Sequence, residues 1–155
     1  MTKKDARTLK VGVLGAGQIA QAAHFESCTK ARNADLFAIC DVADDLRERM
    51  AITHGAQKTF NDYDAMLADP GIDAVIIATA DAFHVPASIR ALEAGKHVLC
   101  EKPVAIGLDE TLALAEAVEK SGLTFQIGHM KRFDAGLMAA KHFIDTEIGE
   151  LIALK

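Results

Sequence analysis

Cysteine is scarce in this chain: Cys28, Cys40 and Cys100 are odd in number and far apart. That spacing fits neither a disulfide framework nor a metal cluster, so no metal is expected and a reducing compartment is. Cys40 and Cys100 lie in apolar runs, where a thiol behaves as a small core residue. No apolar stretch approaches the roughly 20 residues needed to span a bilayer, so no membrane partner is expected. The stretch KKDARTLKVGVLGAGQIAQAA loosely mimics a secretory leader, but glycines and Gln18 interrupt it. A cytoplasmic location follows as the expectation. A basic stripe is also missing: 17 Lys and Arg are interspersed with 22 Asp and Glu, for a formal net charge of −5, so nucleic acid is not expected as a partner. Repeats and low-complexity segments are absent. What is present is a 155-residue chain, 50% hydrophobic and 25% charged, the composition of a globular domain with a sizeable core.

Short apolar runs alternate with helical patterns. Residues 10–14 (KVGVL), 36–40 (LFAIC), 74–78 (AVIIA), 97–100 (HVLC) and 123–127 (LTFQI) predict strands buried on both faces. Helices are predicted over 44–54 (stripe Leu46, Met50, Thr53), 62–68, 84–94 (Val85, Ile89, Leu92), 108–121 (Leu108, Leu112, Ala115) and 133–146 (Phe133, Leu137, Ala140, Ile144). Alternation of this kind means βαβ units and an α/β, doubly wound parallel sheet, the Rossmann fold. Residues 1–127 are read as one nearly complete domain and 128–147 as a crossover loop and helix. Residues 148–155 are read as a strand opening a second, truncated α+β domain. Ligands of such sheets bind at the carboxyl ends of the strands.

The first run leads into Gly15-Ala16-Gly17-Gln18-Ile19-Ala20, a G-x-G-x-x-A pattern. The first glycine permits a tight turn, the second lets backbone approach a pyrophosphate, and the small last position lets helix pack on strand. Amides at the helix start attract the phosphates. Gly15, Gly17, Gln18 and Ile19 are therefore expected at a cofactor, although the loop alone reads equally as a tight turn. Asp41 follows about 20 residues later, where an acid accepts hydrogen bonds from adenosine ribose hydroxyls and repels a 2′-phosphate. NAD is expected over NADP. The other reading of Asp41 is an acid at a helix start, with Asp44 expected as the N-cap. Thr79 and Asp81 are expected beside the nucleotide. His84 opens the next helix, where a lone histidine is more often structural than catalytic. Glu101-Lys102-Pro103 ends the run at 97–100, either as a surface Glu–Lys pair or as a lysine aimed into the ligand crevice. His129, Lys131 and Arg132 cluster after the last run, as substrate-facing groups or as a solvated basic loop.

The order GAGQIA, CDV, AVIIATADAFH, ALEAGKHVLCEKP and GHMKRFD resembles the Gfo/Idh/MocA family of NAD(P)-dependent oxidoreductases, from Lys10 to about Ile152. Glu101-Lys102-Pro103 is the most specific part. The resemblance implies an N-terminal nucleotide-binding domain and a C-terminal domain built on a large open sheet, which commonly carries a homo-oligomer interface. It implies hydride transfer between NAD(H) and a sugar, inositol or related polyol. Lys102 would be the catalytic lysine near nicotinamide and substrate oxygen, with His84 and Glu101 in the cofactor-binding set. Further catalytic residues, often an aspartate and a histidine, come from the second domain in that family, so residues 1–155 alone are expected to be inactive. Two departures stand out: Thr79-Ala80-Asp81 where the family often has Thr-Pro-Asn, and Gly128-His129-Met130 where it often has Gly-His-Asn. They leave open a catalytically idle dinucleotide-binding sensor or assembly subunit.

Overall fold

Aliphatic and β-branched runs bounded by glycine and polar residues become strands because such side chains pack well on a pleated, buried surface. A computed structural model describes residues 7–150. β1 (Leu9–Leu14), β2 (Ala34–Cys40), β3 (Lys58–Phe60), β4 (Ala74–Ile77), β5 (His97–Cys100) and β6 (Phe125–Ile127) form one parallel sheet, ordered β3-β2-β1-β4-β5-β6. The fold is the expected doubly wound one. β3 has no apolar run to announce it; it is an edge strand held by its ladder to Ala38–Cys40. The chain steps outward from β1 to β3, then returns to the other flank of β1 as β4. The connections after β1 and β4 therefore leave in opposite directions and open a crevice between them.

A helix that opens as a π-turn (Ala20–His24) continues as α1 (Phe25–Lys30). α2 (Asp44–His54), α3 (Tyr63–Leu67), α4 (His84–Glu93, after a 3-10 turn over Asp81–Phe83) and α5 (Leu108–Ser121) follow. Beyond β6 come a 3-10 turn (Met130–Phe133), α6 (Ala135–Phe143) and a π-turn (Ile144–Ile148). Two apolar layers flank the sheet. On one face Val75, Ile77, Val98 and Cys100 meet Met66, Leu67, Ala91, Leu92 and Leu114 from α3, α4 and α5. On the other, Val11, Val13, Leu36 and Ile39 meet Ala20, Phe25, Cys28, Met50 and Ala51. Each fully buried aliphatic contributes about 1.5–3 kcal/mol.

Several expectations need correction. Burial on both faces holds for Leu36–Cys40 of β2, but β4 and β5 alternate buried with half-buried residues. The reason is that α1 and α2 stand over β2, while a shallow groove over Ile76, Leu99 and Gln126 opens on the same face. In α2 the N-cap position is Ala43, not Asp44; Asp44 lies in the first turn and pairs with Arg47 Nη1 at 2.6 Å. Thr53 is exposed, its hydroxyl donating back to the Arg49 carbonyl, and Arg47, Met50 and Ala51 form the buried face. In α5 the expected stripe is outside: Leu108 and Leu112 are 72% and 59% exposed, whereas Leu114 is 4% exposed. Contact with α4 selects the Leu114 face. Phe133 lies before α6, in the 3-10 turn, because Asp134 caps α6 by accepting from the Gly136 and Leu137 amides; Leu137 and Ala140 are exposed and Ile144 half-buried. Of the strand expected over 148–154, residues 151–154 lie outside the described residues, and Ile148 closes the π-turn.

Candidate active site

The glycine loop is built by two demands. Gly15 has φ +97°, and a Cβ there would stand 2.6 Å from the Ala78 carbonyl oxygen at the end of β4. Its N–H donates to the Cys40 carbonyl at 2.8 Å. Left-handed backbone and close strand packing thus both require glycine. Gly17 differs: a Cβ there would meet no atom within 4 Å. The protein's own packing does not demand glycine at 17, whereas a dinucleotide lying against the backbone would. Asp41, ending β2, turns its carboxylate back to the loop. Oδ2 accepts the Ala16 N–H at 2.7 Å and Oδ1 the Ala43 N–H at 2.8 Å. It is therefore also the acid at the start of α2, and both readings of it meet in one side chain. A carboxylate has about four acceptor sites, so two remain for ligand hydroxyls.

Gly15, Gly17, Gln18, Ile19, Asp41 and Thr79 line one groove, of about 730 Å³, at the carboxyl ends of β1, β2 and β4. Its outer wall was not foreseen: Tyr63, Phe83, Pro86 and Arg90, which α3 and α4 bring together. The only sequence signal was the spacing of 83, 86 and 90, which runs from the 3-10 turn along one side of α4. The Tyr63 hydroxyl donates to the Ala87 carbonyl at 3.0 Å, and burial pushes its phenol upward from the usual range. Asp81 does not line this groove; it is exposed at the head of the 3-10 turn, because Ala80 takes the place beside Thr79.

A second groove, of about 980 Å³, is lined by Lys102, His129, Met130, Lys131 and Arg132, and shares Ile19 with the first. Lys102 is exposed and takes part in no ion pair among the described residues. The surface-pair reading with Glu101 therefore fails. Glu101 is 4% exposed, with Oε1 2.9 Å from Nε2 of His24. Lys131 pairs with Asp134 at 3.1 Å, leaving Arg132 and Lys102 as the groove's unpaired cations among the described residues. His84 and Glu101, expected at the cofactor, stand behind the grooves instead. His84 is 1% exposed, with Nδ1 2.7 Å from the Pro103 carbonyl oxygen and Nε2 3.1 Å from that of Thr79. Both ring nitrogens thus face backbone carbonyls inside the protein and not the grooves. His24 went unnoticed in the sequence. Its signal was a histidine four residues after Ala20 and four before Cys28, on the face that the helix buries.

The two grooves differ in charge: the first holds Asp41 together with Arg90, which pairs with Asp64, and the second holds Lys102 and Arg132. No thiolate contributes. Burial, with Asp41 and Asp62 nearby, pushes the Cys40 thiol up to about 12; burial is also the leading cause that raises Cys28 and Cys100 to about 11. Among the described residues no group of three or more His, Cys, Asp or Glu could hold a metal, and no helix is long and apolar enough to cross a membrane.

A parallel sheet of this order, a glycine loop after β1, an acid after β2 and ligand grooves at the strand ends define a dinucleotide-binding domain. Residues 9–129 match the Gfo/Idh/MocA model, described as an oxidoreductase family with an NAD-binding Rossmann fold, and the chain belongs to that family. It is 36% identical over 148 residues to a scyllo-inositol 2-dehydrogenase (NAD(+)) of Bacillus subtilis, covering 95% of this chain and 43% of that protein. It is 36% identical over 152 residues to an inositol 2-dehydrogenase/D-chiro-inositol 3-dehydrogenase of Shouchella clausii, covering 96% and 44%. The structure resembles myo-inositol 2-dehydrogenase from Lactobacillus plantarum with a TM-score of 0.89, at 28% identity over 94% of this chain and 44% of that one. It resembles scyllo-inositol dehydrogenase from Lactobacillus casei with bound cofactor NAD(H) and scyllo-inositol with a TM-score of 0.85, at 31% identity over 90% and 41%. The chain spans less than half the length of these relatives.

Proposed function

We propose that this chain is the NAD(H)-holding part of an oxidoreductase that interconverts C–OH and C=O in an inositol, sugar or related polyol. The observation that carries the proposal is two grooves meeting at Ile19, one ending on Asp41 and the other on Lys102, which has no ion-pair partner among the described residues. Gly15, Gly17, Gln18, Ile19, Asp41 and Thr79 would hold the cofactor, which supplies the hydride acceptor or donor. Asp41 accepts from ribose hydroxyls, and its charge disfavours a 2′-phosphate, so NAD(H) is preferred to NADP(H). Lys102 donates a hydrogen bond to the substrate oxygen and stabilises negative charge developing there. Arg132, His129 and Lys131 flank that position and would orient hydroxyl groups.

The greater length of the relatives supports a layout in which residues 1–127 form the nucleotide domain, 128–147 cross over, and a second domain begins at 148. That domain would supply the proton acceptor, close the second groove and carry a homo-oligomer interface, in a cytoplasmic enzyme. Calorimetric titration with NAD(H) and NADP(H) tests the cofactor reading. Preference for NAD(H) is the expected result; equal or tighter NADP(H) binding would overturn the specificity, and no binding would overturn the function. An idle dinucleotide-binding sensor is the second reading. It is favoured by the exposure of Met130 and Asp81 where the family often carries asparagine.

A further inference from the structure

Glu101 belongs to the Glu-Lys-Pro turn, yet its side chain turns away from the groove that Lys102 faces. Three segments enclose its carboxylate. From the π-turn after the glycine loop, His24, itself 9% exposed, presents Nε2 at 2.9 Å from Oε1. The carboxylate can only accept, so the hydrogen sits on Nε2. From the turn itself, the Lys102 N–H donates to Oε2 at 3.1 Å. From the end of β6, Gly128 presses on the same group: a Cβ there would stand 3.1 Å from Oε1, 3.2 Å from Cδ and 3.3 Å from Oε2. The Glu101 N–H is also taken, by the Ile77 carbonyl at 3.0 Å. The backbone bearing Lys102 is thus held through one buried carboxylate, and the far anchor of that carboxylate is on the helix that begins at the cofactor loop.

We infer that His24 is a positioning residue for Lys102: it fixes the Glu101 carboxylate, which fixes the Lys102 peptide and so the origin of the lysine side chain. Two features favour this over a pair kept for stability. A buried polar pair is weak evidence of stabilisation, since the cost of removing both groups from water offsets their attraction. The second oxygen of the pair is also spent on the Lys102 amide itself. The inference deepens the dehydrogenase reading, on which it rests, and adds a consequence: the glycine-loop helix and the lysine turn move together, so a shift of one displaces the other.

The test compares His24→Leu with His24→Gln, whose side-chain amide can still donate to Glu101. Three readouts are taken on the protein: hydrogen exchange of the Lys102 amide by NMR, NADH affinity by fluorescence, and kcat with myo- and scyllo-inositol. His24→Leu should speed Lys102 amide exchange at least tenfold and leave NADH affinity within about twofold. It should lower kcat by up to about 100-fold, the scale of a misplacement near 1 Å; His24→Gln should restore most of both losses. If His24→Leu does not fold, Gly128→Ala perturbs the same carboxylate from β6 and should speed the same amide. Unchanged Lys102 exchange in a folded His24→Leu or Gly128→Ala protein overturns the inference, as does a kcat loss that His24→Gln does not restore. Absence of inositol turnover by the wild-type full-length enzyme would count against the dehydrogenase reading alone, because the exchange readout needs no reaction.

Discussion

Gly15 and Gly17 are two residues apart and serve different masters. Gly15→Ala would force a side chain into φ +97° and against the Ala78 carbonyl. It should cost about 2–4 kcal/mol, from left-handed backbone plus overpacking, read as a fall in urea midpoint. Gly17→Ala meets no protein atom, so its midpoint should move by less than about 1 kcal/mol while NAD(H) affinity falls at least tenfold. Equal loss of stability in both variants would contradict this division. Asp41→Ala should lose both roles: loop anchoring, at roughly 1.5–3 kcal/mol per charge-assisted bond at most, and the preference for NAD(H), measured as the ratio of the two affinities. Lys102→Met keeps the apolar stem and deletes the donor. In the full-length enzyme it should lower kcat by about 10²–10³ with NADH affinity unchanged; an unaltered kcat would favour the idle-binding reading. Glycine spacing and the acid were visible in the sequence. That Asp41 would bond the loop itself, and that Glu101 would face inward to His24, were not, because they depend on residues 25 and 77 positions apart.

At the scale of elements, α5 shows where periodicity stops short. Its sequence carries two apolar stripes at helical spacing, Leu108–Leu112–Ala115 and Leu114–Ala117–Val118. Only contact with α4 selects the second. Leu114→Ala should therefore cost about 2–5 kcal/mol, and Leu112→Ala under about 0.5 kcal/mol, when both are compared by urea denaturation of the same chain. Reversal of that order would mean that α5 is rotated. β3 illustrates the opposite case: Lys58–Phe60 has too little apolar character to be read locally and exists because β2 offers it a ladder. The helices at 44–54, 84–94 and 108–121 were legible to within a residue, since glycine closes each of them.

Over the whole molecule, two apolar layers enclose three thiols, and alkaline pH should weaken the fold. Burial raises Cys28 and Cys100 from 9.0 to about 11 and Cys40 to about 12. A raised folded value favours the protonated, folded form. That stability is full below the unfolded value near 9 and is lost as pH rises from there through the folded values. Thermal midpoints should be insensitive to these groups between pH 7 and 8.5, to the nearest degree or so, and decline above about pH 9. A thiol reagent at pH 8 should label none of the three until the protein unfolds, since about one thiol in a thousand is ionised three units below its pKa. Rapid native labelling would contradict the burial. The open second groove sets a further expectation: residues 1–155 should bind NAD(H) without oxidising inositol at a useful rate, because orientation and closure account for several kcal/mol of barrier. NADH appearing steadily from this chain and inositol would disprove that.

Local physics in the sequence was enough for the alternation of strands and helices, the parallel sheet, the glycine loop, the acid after β2 and the lysine after β5. Each is written in a few adjacent residues, through apolar period, turn chemistry or spacing. Tertiary structure alone decided which stripe of α5 is buried, which face of β4 and β5 is only half covered, and that His84 and Glu101 stand behind the site and not in it. It also brought Ile19 between two grooves and His24 onto the carboxylate beside Lys102. These are contacts between residues far apart in sequence, and no local pattern encodes which distant partner a side chain meets when the sheet closes the chain on itself.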